Sequence, residues 1–261
     1  MRYRRRARMR AARGFPQTLP IEVSISAEQT VDVVGIFARI APRYDLMNRL
    51  MTAGLDLAWR RRAVDLLGQL PDLPVLDVGT GTADLALALA GRRPEVRIAG
   101  LDPTAEMLAL GRQKVARRGL QERITLLRGD ALALPFADAS CAAVVSAFTL
   151  RNVADRARAL CEMRRVVVPG GPVLCLELSW PRFPGFSSLF GLYFARLVPT
   201  LGALVARSRA AYTYLPASVD AFLSPEALAQ AMEEAGLEDV QVWRLVPGTA
   251  TIHLGRRSAL G

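Results

Sequence analysis

The stretch Val75-Leu76-Asp77-Val78-Gly79-Thr80-Gly81-Thr82-Ala83-Asp84 decides the fold of this chain. A short apolar run leads into a glycine-rich turn, and a second apolar run leads out of it. This pattern predicts a strand, a tight loop and the start of a helix. Glycine lets backbone amides approach a ligand without interference from Cβ, and a helix start carries unpaired N–H groups. The loop is therefore the first candidate for a binding site.

The basic residues are unevenly distributed along the chain. Its 261 residues carry a formal net charge of +10, and residues 1–13 alone hold seven arginines and no acidic residue. We expect residues 1–26 to be a disordered basic tail. Such a tail attracts an anionic membrane surface or nucleic acid, and a misplaced start codon would also produce one. No apolar segment follows the charged N-terminus, so no signal peptide is expected.

No metal site is expected. The chain has three cysteines without metal-ligand spacing and a single histidine, His253. An odd number of such cysteines is typical of reduced cytosolic thiols. We expect His253, which lies in a late strand, to be structural rather than a catalytic base.

Strand-like and helix-like runs alternate along most of the chain. Strands are predicted at Pro74–Val78, Val96–Leu101, Ile124–Leu127, Ala142–Phe148, Pro172–Leu178, Val240–Leu245 and Ala250–Leu254, and helices at Leu85–Gly91, Ala105–Arg118, Ala154–Val167 and Pro225–Ala235. This alternation predicts an α/β fold: a Rossmann-like, mostly parallel seven-stranded sheet with helices on both faces and an antiparallel last strand.

Two further segments complete the predicted architecture. An N-terminal helical segment precedes the sheet, and we expect Pro42 to break it. Residues 181–215 hold an apolar, aromatic stretch with interrupting prolines, which does not suit a membrane span. It suits a lid over a hydrophobic substrate, or ordinary core packing. We expect residues 27–257 to form one domain that includes this insertion.

The glycine loop departs from the dinucleotide fingerprint G-x-G-x-x-G. Asp84 stands in place of the third glycine, after Gly79 and Gly81. A carboxylate at a helix start repels a pyrophosphate, but not S-adenosylmethionine, which has no phosphate and carries an ammonium and a sulfonium. Asp102, after the second strand, can accept hydrogen bonds from ribose hydroxyls, and Asp130, after the third, can meet an adenine amino group. This ordered set favours a methyl-donor site over a structural turn with N-cap acids.

Several longer segments resemble the menaquinone/ubiquinone-biosynthesis C-methyltransferases, a family of class I S-adenosylmethionine-dependent methyltransferases. They are Phe37–Asn48, Gly111–Lys114, Leu134–Asp138, Phe148–Val153, Arg165–Gly171, Tyr212–Ser218 and Ile252–Gly255. The Tyr-Asp-x-Met-Asn and Arg-Asn-Val elements within them are specific to this family. The glycine loop and Leu-Pro-Phe occur across many methyltransferases.

The resemblance implies a set of residues that bind S-adenosylmethionine. They are Thr82, Asp102, Asp130 and Ala131. The loop pattern adds Asp77, Gly79 and Gly81, and we also expect Ala147 at the cofactor site. The family's usual Gly-Gly-Thr-Gly-Asp loop reads Thr80-Gly81-Thr82-Ala83-Asp84 here, and Ala147 replaces a common serine. We expect both changes to cost little, because alanine is tolerated at a helix start. Arg209-Ala210-Ala211 stands where an acidic residue is usual, close to the expected lid.

Methylation of a ring carbon requires a nucleophilic acceptor, which forms when a phenolic proton is removed. At the end of the fourth strand, we expect Arg151 to stabilise the phenolate and Asn152 to orient the ring hydroxyl or a water. Tyr44 and Asp45 are expected to close over donor and acceptor, and the resemblance favours the substrate role of Arg151. Arg151 cannot itself be the base at neutral pH. Each residue has a simpler alternative: a salt-bridging loop residue for Arg151, a helix cap for Asn152 and core packing for Tyr44.

The activity implied by the resemblance is methylation of a polyprenylated quinol, either demethylmenaquinol or the benzoquinol of the ubiquinone pathway. Since such a substrate lies in the membrane, we expect a cytoplasmic protein that binds the inner membrane surface reversibly. Two alternatives stay open: another phenolic or apolar acceptor, and a non-catalytic nucleic-acid-binding protein with a methyltransferase fold. Nucleic acid is not expected, since the sequence has no basic stripe outside the tail.

Overall fold

A computed structural model of the chain describes residues 32–181, 190–193, 200 and 217–259. The predicted basic tail and most of the predicted insertion lie outside these ranges. The described helices are α1 (Val33–Thr52), α2 (Leu55–Asp65), α3 (Asp84–Arg92), α4 (Ala105–Arg117), α5 (Arg156–Val166) and α6 (Pro225–Glu234), with a 3₁₀ turn at Leu150–Asn152. The strands are β1 (Val75–Val78), β2 (Ile98–Asp102), β3 (Ile124–Arg128), β4 (Ala143–Ala147), β5 (Pro172–Leu178), β6 (Leu237–Leu245) and β7 (Ala250–Arg257).

The seven strands form one sheet in the order β3-β2-β1-β4-β5-β7-β6. Neighbouring strands are parallel from β3 to β5, whereas β7 runs antiparallel to both β5 and β6. The predicted α/β fold with an antiparallel last strand is therefore confirmed. The chain order reverses direction at β1, between β2 and β4, and open α/β sheets bind ligands at the carboxyl edge beside such a point.

Helices cover both faces of the sheet, because successive residues of a buried strand point to opposite sides. On one face, Val75 and Ile98 pack with α2, α3 and α4. On the other face, Leu76 and Leu101 pack with α5 and α6. All four residues of β1 are buried. The central strand and the loop that follows it are thus held rigidly from both sides.

Helix α1 differs from its prediction at Pro42, which lies inside the helix and does not break it. Proline lacks the N–H that would bond four residues back, and an interior proline costs about 3 kcal/mol. The helix persists because one of its faces is buried, at Ile36, Ile40, Ala41 and Met47, while Pro42 is exposed. No helix within the described ranges is long and apolar enough to cross a membrane.

Candidate functional site

The glycine loop leaves β1 with two glycines in left-handed backbone conformations. The backbone angle φ is +70° at Gly79 and +53° at Gly81, and residues other than glycine rarely adopt such values. A Cβ on Gly79 would lie 2.2 Å from the side chain of Thr149, whereas a Cβ on Gly81 would meet nothing within 4 Å. Gly79 is therefore required by packing against the segment after β4. Gly81 faces open space that a ligand can enter.

Ala83 also has a left-handed backbone, with φ of +67°, at the N-cap of α3. The expectation that alanine costs little there did not take this backbone conformation into account. The residue lies just before the helix rather than in its first turn, and a Cβ in this conformation crowds the following carbonyl oxygen. The sequence could not reveal this, because the conformation depends on how the loop is closed.

Asp77 lies at the centre of the sheet and is 1% exposed. One carboxylate oxygen accepts a hydrogen bond from the Thr80 hydroxyl at 2.7 Å. Its other oxygen, Oδ1, is buried with no hydrogen-bond partner. Burial raises the pKa of Asp77 to about 7, although Thr80 and Arg60 oppose the shift. The carboxyl group of Asp77 thus has one paired and one unpaired oxygen at the end of β1 that leads into the loop.

Asp102, at the end of β2, connects the glycine loop to α4. It accepts from the amide of Gly81 at 2.9 Å and from the amide of Thr104 at 2.9 Å. Burial raises its pKa, and the two amides oppose the rise. Asp130 follows β3 and accepts from the amide of Leu132 at 2.9 Å, and Ala131 beside it is buried. Both predicted acids thus lie at the same sheet edge as the loop.

Asp84 is not a free charge at the start of α3. Lys114 and Arg49 both bind its carboxylate, the latter at 2.6 Å. Burial opposes ionisation, but Lys114, Arg60 and Arg49 outweigh it and lower the pKa of Asp84 to about 2. The expectation that this charge repels a pyrophosphate therefore needs correction: the carboxylate is neutralised by two cations. Lys114 and Arg49 are site residues that the sequence reasoning did not select.

Helix α1 joins this group of charges. Thr82 donates its hydroxyl proton to Asp45 at 2.6 Å, and Lys114 donates to both Asp45 and Thr82. One turn later on α1, Arg49 also binds Asp56, which Arg60 of α2 contacts at 2.7 Å. The hydroxyl of Thr82, predicted to contact the cofactor, is therefore occupied by α1. The residue as a whole is only 2% exposed.

Arg151 is buried in the 3₁₀ turn after β4 and forms an ion pair with Glu177 of β5 at 3.1 Å. Glu177 is itself 1% exposed, and burial raises its pKa while Arg151 opposes the rise. The guanidinium also lies 5.8 Å from the ring centroid of Phe148, whose backbone φ is +60°. The sequence reasoning missed Glu177, although a lone carboxylate inside the apolar run of β5 was a usable signal.

Asn152 and Tyr44 are both half-buried. The side-chain amide of Asn152 donates to the carbonyl of Phe148 at 3.2 Å. The alternative that Asn152 caps the next helix is wrong, because Asp155 caps α5 by accepting from Arg158. Tyr44 packs edge-on against Phe37, with ring centroids 5.8 Å apart. Ala147 ends β4, and its carbonyl accepts from the Thr149 hydroxyl at 3.3 Å.

An aromatic cluster lies against α1 on the side of Tyr44. Trp180 meets Phe190 edge-on at 5.3 Å between centroids, and Phe190 stacks on Tyr193 at 6.2 Å. The Tyr193 hydroxyl donates to the carbonyl of Met51 at 3.0 Å. The described part of the predicted lid therefore contributes aromatic side chains to the hydrophobic cluster of α1.

Three other features of the described residues do not form part of this site. His253 is fully buried and its Nε2 lies 2.8 Å from the carbonyl of Pro225, while burial lowers its pKa. Within the described residues, no group of histidine, cysteine or acidic side chains could hold a metal ion. Two open surface cavities, about 570 and 830 Å³, lie beside Arg92 and beside Gln230 and are lined by none of the residues above.

The residues present fit S-adenosylmethionine. Backbone at Gly81 borders open space, and the orphaned oxygen of Asp77 lies at the end of β1 that leads into the loop. Asp102 ends β2, the neighbour of β1, and Asp130 follows β3, the next strand outward, where ribose and adenine groups would be held. The loop also departs from the dinucleotide pattern, because Asp84 occupies the position of the third glycine and its carboxylate is paired with Lys114 and Arg49.

Comparisons with known proteins agree with this fit. A model of the ubiE/COQ5 methyltransferase family matches residues 24–257. A demethylmenaquinone methyltransferase from Thermus thermophilus is 47% identical over 222 residues, covering 85% of this chain and 100% of that protein. The ubiquinone/menaquinone biosynthesis C-methyltransferase UbiE of Geotalea daltonii is 42% identical over 223 residues, covering 85% and 94%.

The fold has solved counterparts as well. The crystal structure of an S-adenosylmethionine-dependent methyltransferase from Thermotoga maritima, a possible histamine N-methyltransferase, aligns with a TM-score of 0.60 at 21% identity. The alignment covers 86% of this chain and 99% of that one, and it concerns the fold alone. Together with the matched sequence model, these observations establish that the chain belongs to the ubiE/COQ5 methyltransferase family and uses S-adenosylmethionine as its cofactor.

Proposed function

We propose that this chain transfers the methyl group of S-adenosylmethionine to a ring carbon of a polyprenylated quinol, with demethylmenaquinol as the acceptor. One observation carries the proposal: a relative named demethylmenaquinone methyltransferase aligns over its full length with 85% of this chain, at 47% identity. The benzoquinol of the ubiquinone pathway is the second acceptor, because another relative's name covers both pathways.

The surroundings of the loop support an aromatic, apolar acceptor. Tyr44, Trp180, Phe190 and Tyr193 belong to one hydrophobic cluster with the buried face of α1. The same helix contacts the glycine loop through Asp45. An acceptor ring held among these side chains would lie next to the donor loop and away from water, as methyl transfer requires.

The roles of the chain's own groups follow from their positions. When bound, S-adenosylmethionine supplies an electrophilic methyl group on a sulfonium. The backbone at Gly81 and the carboxylates of Asp102 and Asp130 hold the donor at the carboxyl edge of the sheet. Tyr44 and the aromatic cluster orient the acceptor ring and exclude water.

Arg151 and Asn152 are proposed to act on the acceptor's hydroxyl. Removing the phenolic proton shifts electron density to the neighbouring ring carbon, and a cation stabilises the phenolate. Arg151 is a suitable cation because Glu177 fixes it and its Nε is buried without a hydrogen-bond partner. Asn152 follows it in the same turn and can orient the hydroxyl or a water.

Membrane attachment is part of the proposal, because a polyprenylated quinol is found in the bilayer. The seven arginines of residues 1–13 would attract the anionic inner surface, and the protein would bind there reversibly from the cytoplasm. Sedimentation with anionic liposomes tests this. The full-length protein should bind more strongly than a form that begins after residue 13, and equal binding would contradict the role of the tail.

The catalytic proposal is tested with purified full-length protein, labelled S-adenosylmethionine and demethylmenaquinol in detergent. We expect the label in a ring methyl group, identified by mass spectrometry of the quinone. Binding of S-adenosylhomocysteine is measured in parallel by calorimetry. Intact binding without ring methylation of either quinol would refute the proposed acceptor.

A different phenolic or apolar acceptor is the second candidate. Arg209-Ala210-Ala211, where the family usually has an acidic residue, favours it, although these residues lie outside the described ranges. Replacing Ala210 with Glu distinguishes the two. If this segment does not select the acceptor, the variant and the wild type should methylate demethylmenaquinol at the same rate. If only the variant methylates demethylmenaquinol, the wild type acts on a different acceptor and the second candidate is favoured.

A further inference from the structure

Lys114 is the only lysine in a chain with 34 basic residues, and it lies at the glycine loop. We infer that Lys114 is a positioning residue that holds α1 on the glycine loop and thereby slows release of the cofactor. The inference concerns the donor side of the site only. It therefore does not depend on which acceptor is methylated.

The ammonium of Lys114 joins three segments of the chain. From α4, its Nζ donates to Asp45 of α1 at 2.7 Å, to Thr82 of the glycine loop at 3.0 Å, and to Asp84 at the start of α3. We refer to these four residues as the Lys114 cluster. Thr82 also donates to Asp45 at 2.6 Å, so Asp45, Thr82 and Lys114 are mutually hydrogen-bonded. The cluster fixes α1 to the loop, beside the ion pair between Arg49 of α1 and Asp84.

A lysine suits this position better than an arginine does. An ammonium has three donors on one atom, and here three oxygens from three segments surround it. A guanidinium is planar and presents its donors as a fork that matches one carboxylate. Of the 34 lysine and arginine residues of this chain, 33 are arginine. The one lysine, Lys114, lies where three oxygens surround a single nitrogen atom.

The charges show what happens when Lys114 is removed. Arg49 still binds Asp84 from α1 at 2.6 Å, but Asp45 has no other cation in an ion pair among the described residues. The carboxylates of Asp45 and Asp84, which share one ammonium, would then repel each other. Because Asp45 is on α1 and Asp84 begins α3, the repulsion would weaken the attachment of α1 and leave the Arg49–Asp84 pair to hold it.

Separating α1 from the loop would expose the cofactor site. Thr82 is a predicted cofactor-binding residue, and the helix that covers it also carries Tyr44, next to Asp45. A helix held less firmly spends a larger fraction of time displaced, and a ligand beneath it leaves faster. Lys114 thus acts through Asp45 and Thr82 and need not touch the cofactor.

The test measures dissociation of S-adenosylhomocysteine by stopped-flow displacement, without any acceptor. Lys114→Met should release it about tenfold faster than the wild type, the size of a typical coupling between two sites. The control is Arg117→Met, which removes one exposed positive charge from the same helix. Lys114→Arg should lie between wild type and Lys114→Met, because the charge is kept and the three-way contact is not.

Hydrogen exchange supplies a second readout that a general loss of stability would not produce. Amides of Val33–Thr52 should exchange faster in Lys114→Met, whereas those of Pro225–Glu234 should not change. Asp45→Asn should reproduce both effects, and it serves as the test if Lys114→Met does not fold. The double variant that combines Lys114→Met with Asp45→Asn should release the ligand no faster than Lys114→Met alone, because both changes remove the same contact.

Two results would overturn the inference. The first is that Lys114→Met releases the ligand and exchanges its amides at the same rates as Arg117→Met. If Lys114→Met does not fold, the same comparison is made with Asp45→Asn. The second is faster release with simple additivity in the double variant, which would mean that Lys114 and Asp45 act independently.

Discussion

The carboxylate of Glu177 lies 3.1 Å from the guanidinium of Arg151, and both groups are almost completely buried. The other oxygen of Glu177 accepts from the amide of Leu150 at 2.7 Å. Strand β5 therefore fixes both the backbone and the cation of the turn that follows β4. Arg151 is proposed to act on the acceptor from this turn, so its position is set by a residue that touches neither substrate nor cofactor.

Glu177→Gln should destabilise the protein strongly. Glutamine keeps the shape and one acceptor for Leu150, but it leaves the buried Arg151 without a countercharge. Removing one partner of a buried ion pair typically costs about 3 kcal/mol or more. The measurement is the free energy of unfolding by urea denaturation.

The matched control is Glu226→Gln, which removes the same charge from an exposed pair with Arg244 at 2.6 Å. Exposed pairs contribute at most about 1 kcal/mol, so this variant should unfold almost like the wild type. If the two variants lost equal stability, the Glu177–Arg151 pair would not have the structural weight assigned to it.

The sheet was predictable from the sequence because its strands are apolar runs bounded by glycine, proline and acidic residues. β5 matches its predicted bounds, and the other predicted strands differ from the observed ones by a few residues at their ends. The predicted acids Asp102 and Asp130 follow from the same rule, since parallel strands bring their carboxyl ends to one edge.

The contacts between distant segments were not predictable. Lys114 is 69 residues from Asp45 and 30 from Asp84, and no local pattern relates them. Pro42 misled the helix prediction because its cost is local, whereas the burial that offsets it involves the whole face of α1. The strain at Ala83 likewise arises from loop closure rather than from helix propensity.

Asp77 predicts a specific dependence of stability on pH. Its pKa is raised from the ordinary value of 3.8 to about 7 in the folded protein. The folded protein therefore binds a proton at Asp77 more tightly than the unfolded chain does. The contribution of this proton to the free energy of unfolding is fully present below pH 3.8 and is lost as pH rises through about 7. In Asp77→Asn this loss should be absent. Denaturation curves recorded from pH 4 to 8 test it, and parallel pH profiles of the two proteins would contradict the assignment.

Gly79→Ala should mainly lower the stability of the protein, whereas Gly81→Ala should mainly weaken cofactor binding. An added Cβ at Gly79 clashes with Thr149 and is strained by φ, so this variant should lose several kcal/mol of stability. At Gly81 only the backbone strain applies, which costs about 1–2 kcal/mol, but the methyl group enters the space assigned to the cofactor. Thermal unfolding without ligand and calorimetry with S-adenosylhomocysteine separate these effects. Normal affinity in Gly81→Ala would place the cofactor elsewhere.

Asp102→Ala should weaken cofactor binding more than it weakens the fold. The carboxylate orders the amides of Gly81 and Thr104, and it is the predicted partner of the ribose hydroxyls. A hydrogen bond to a charged group contributes about 1.5–3 kcal/mol, so affinity for S-adenosylhomocysteine should fall at least about tenfold. Asp138→Ala, an exposed carboxylate paired with Arg165, is the control and should bind normally. Equal affinities of the two variants would contradict the role of Asp102.

Ala83→Gly should stabilise the protein, because glycine adopts φ of +67° without the Cβ conflict that alanine has. The gain is limited by the greater freedom of glycine in the unfolded chain and by the loss of a fully buried methyl group. A net increase of about 0.5–1 kcal/mol is expected from relief of left-handed strain. The matched control is Ala86→Gly, within α3, where φ is helical and glycine should destabilise by about 1 kcal/mol. Urea denaturation of both variants measures the difference, and a loss of stability in Ala83→Gly would show that packing of its methyl group outweighs the strain.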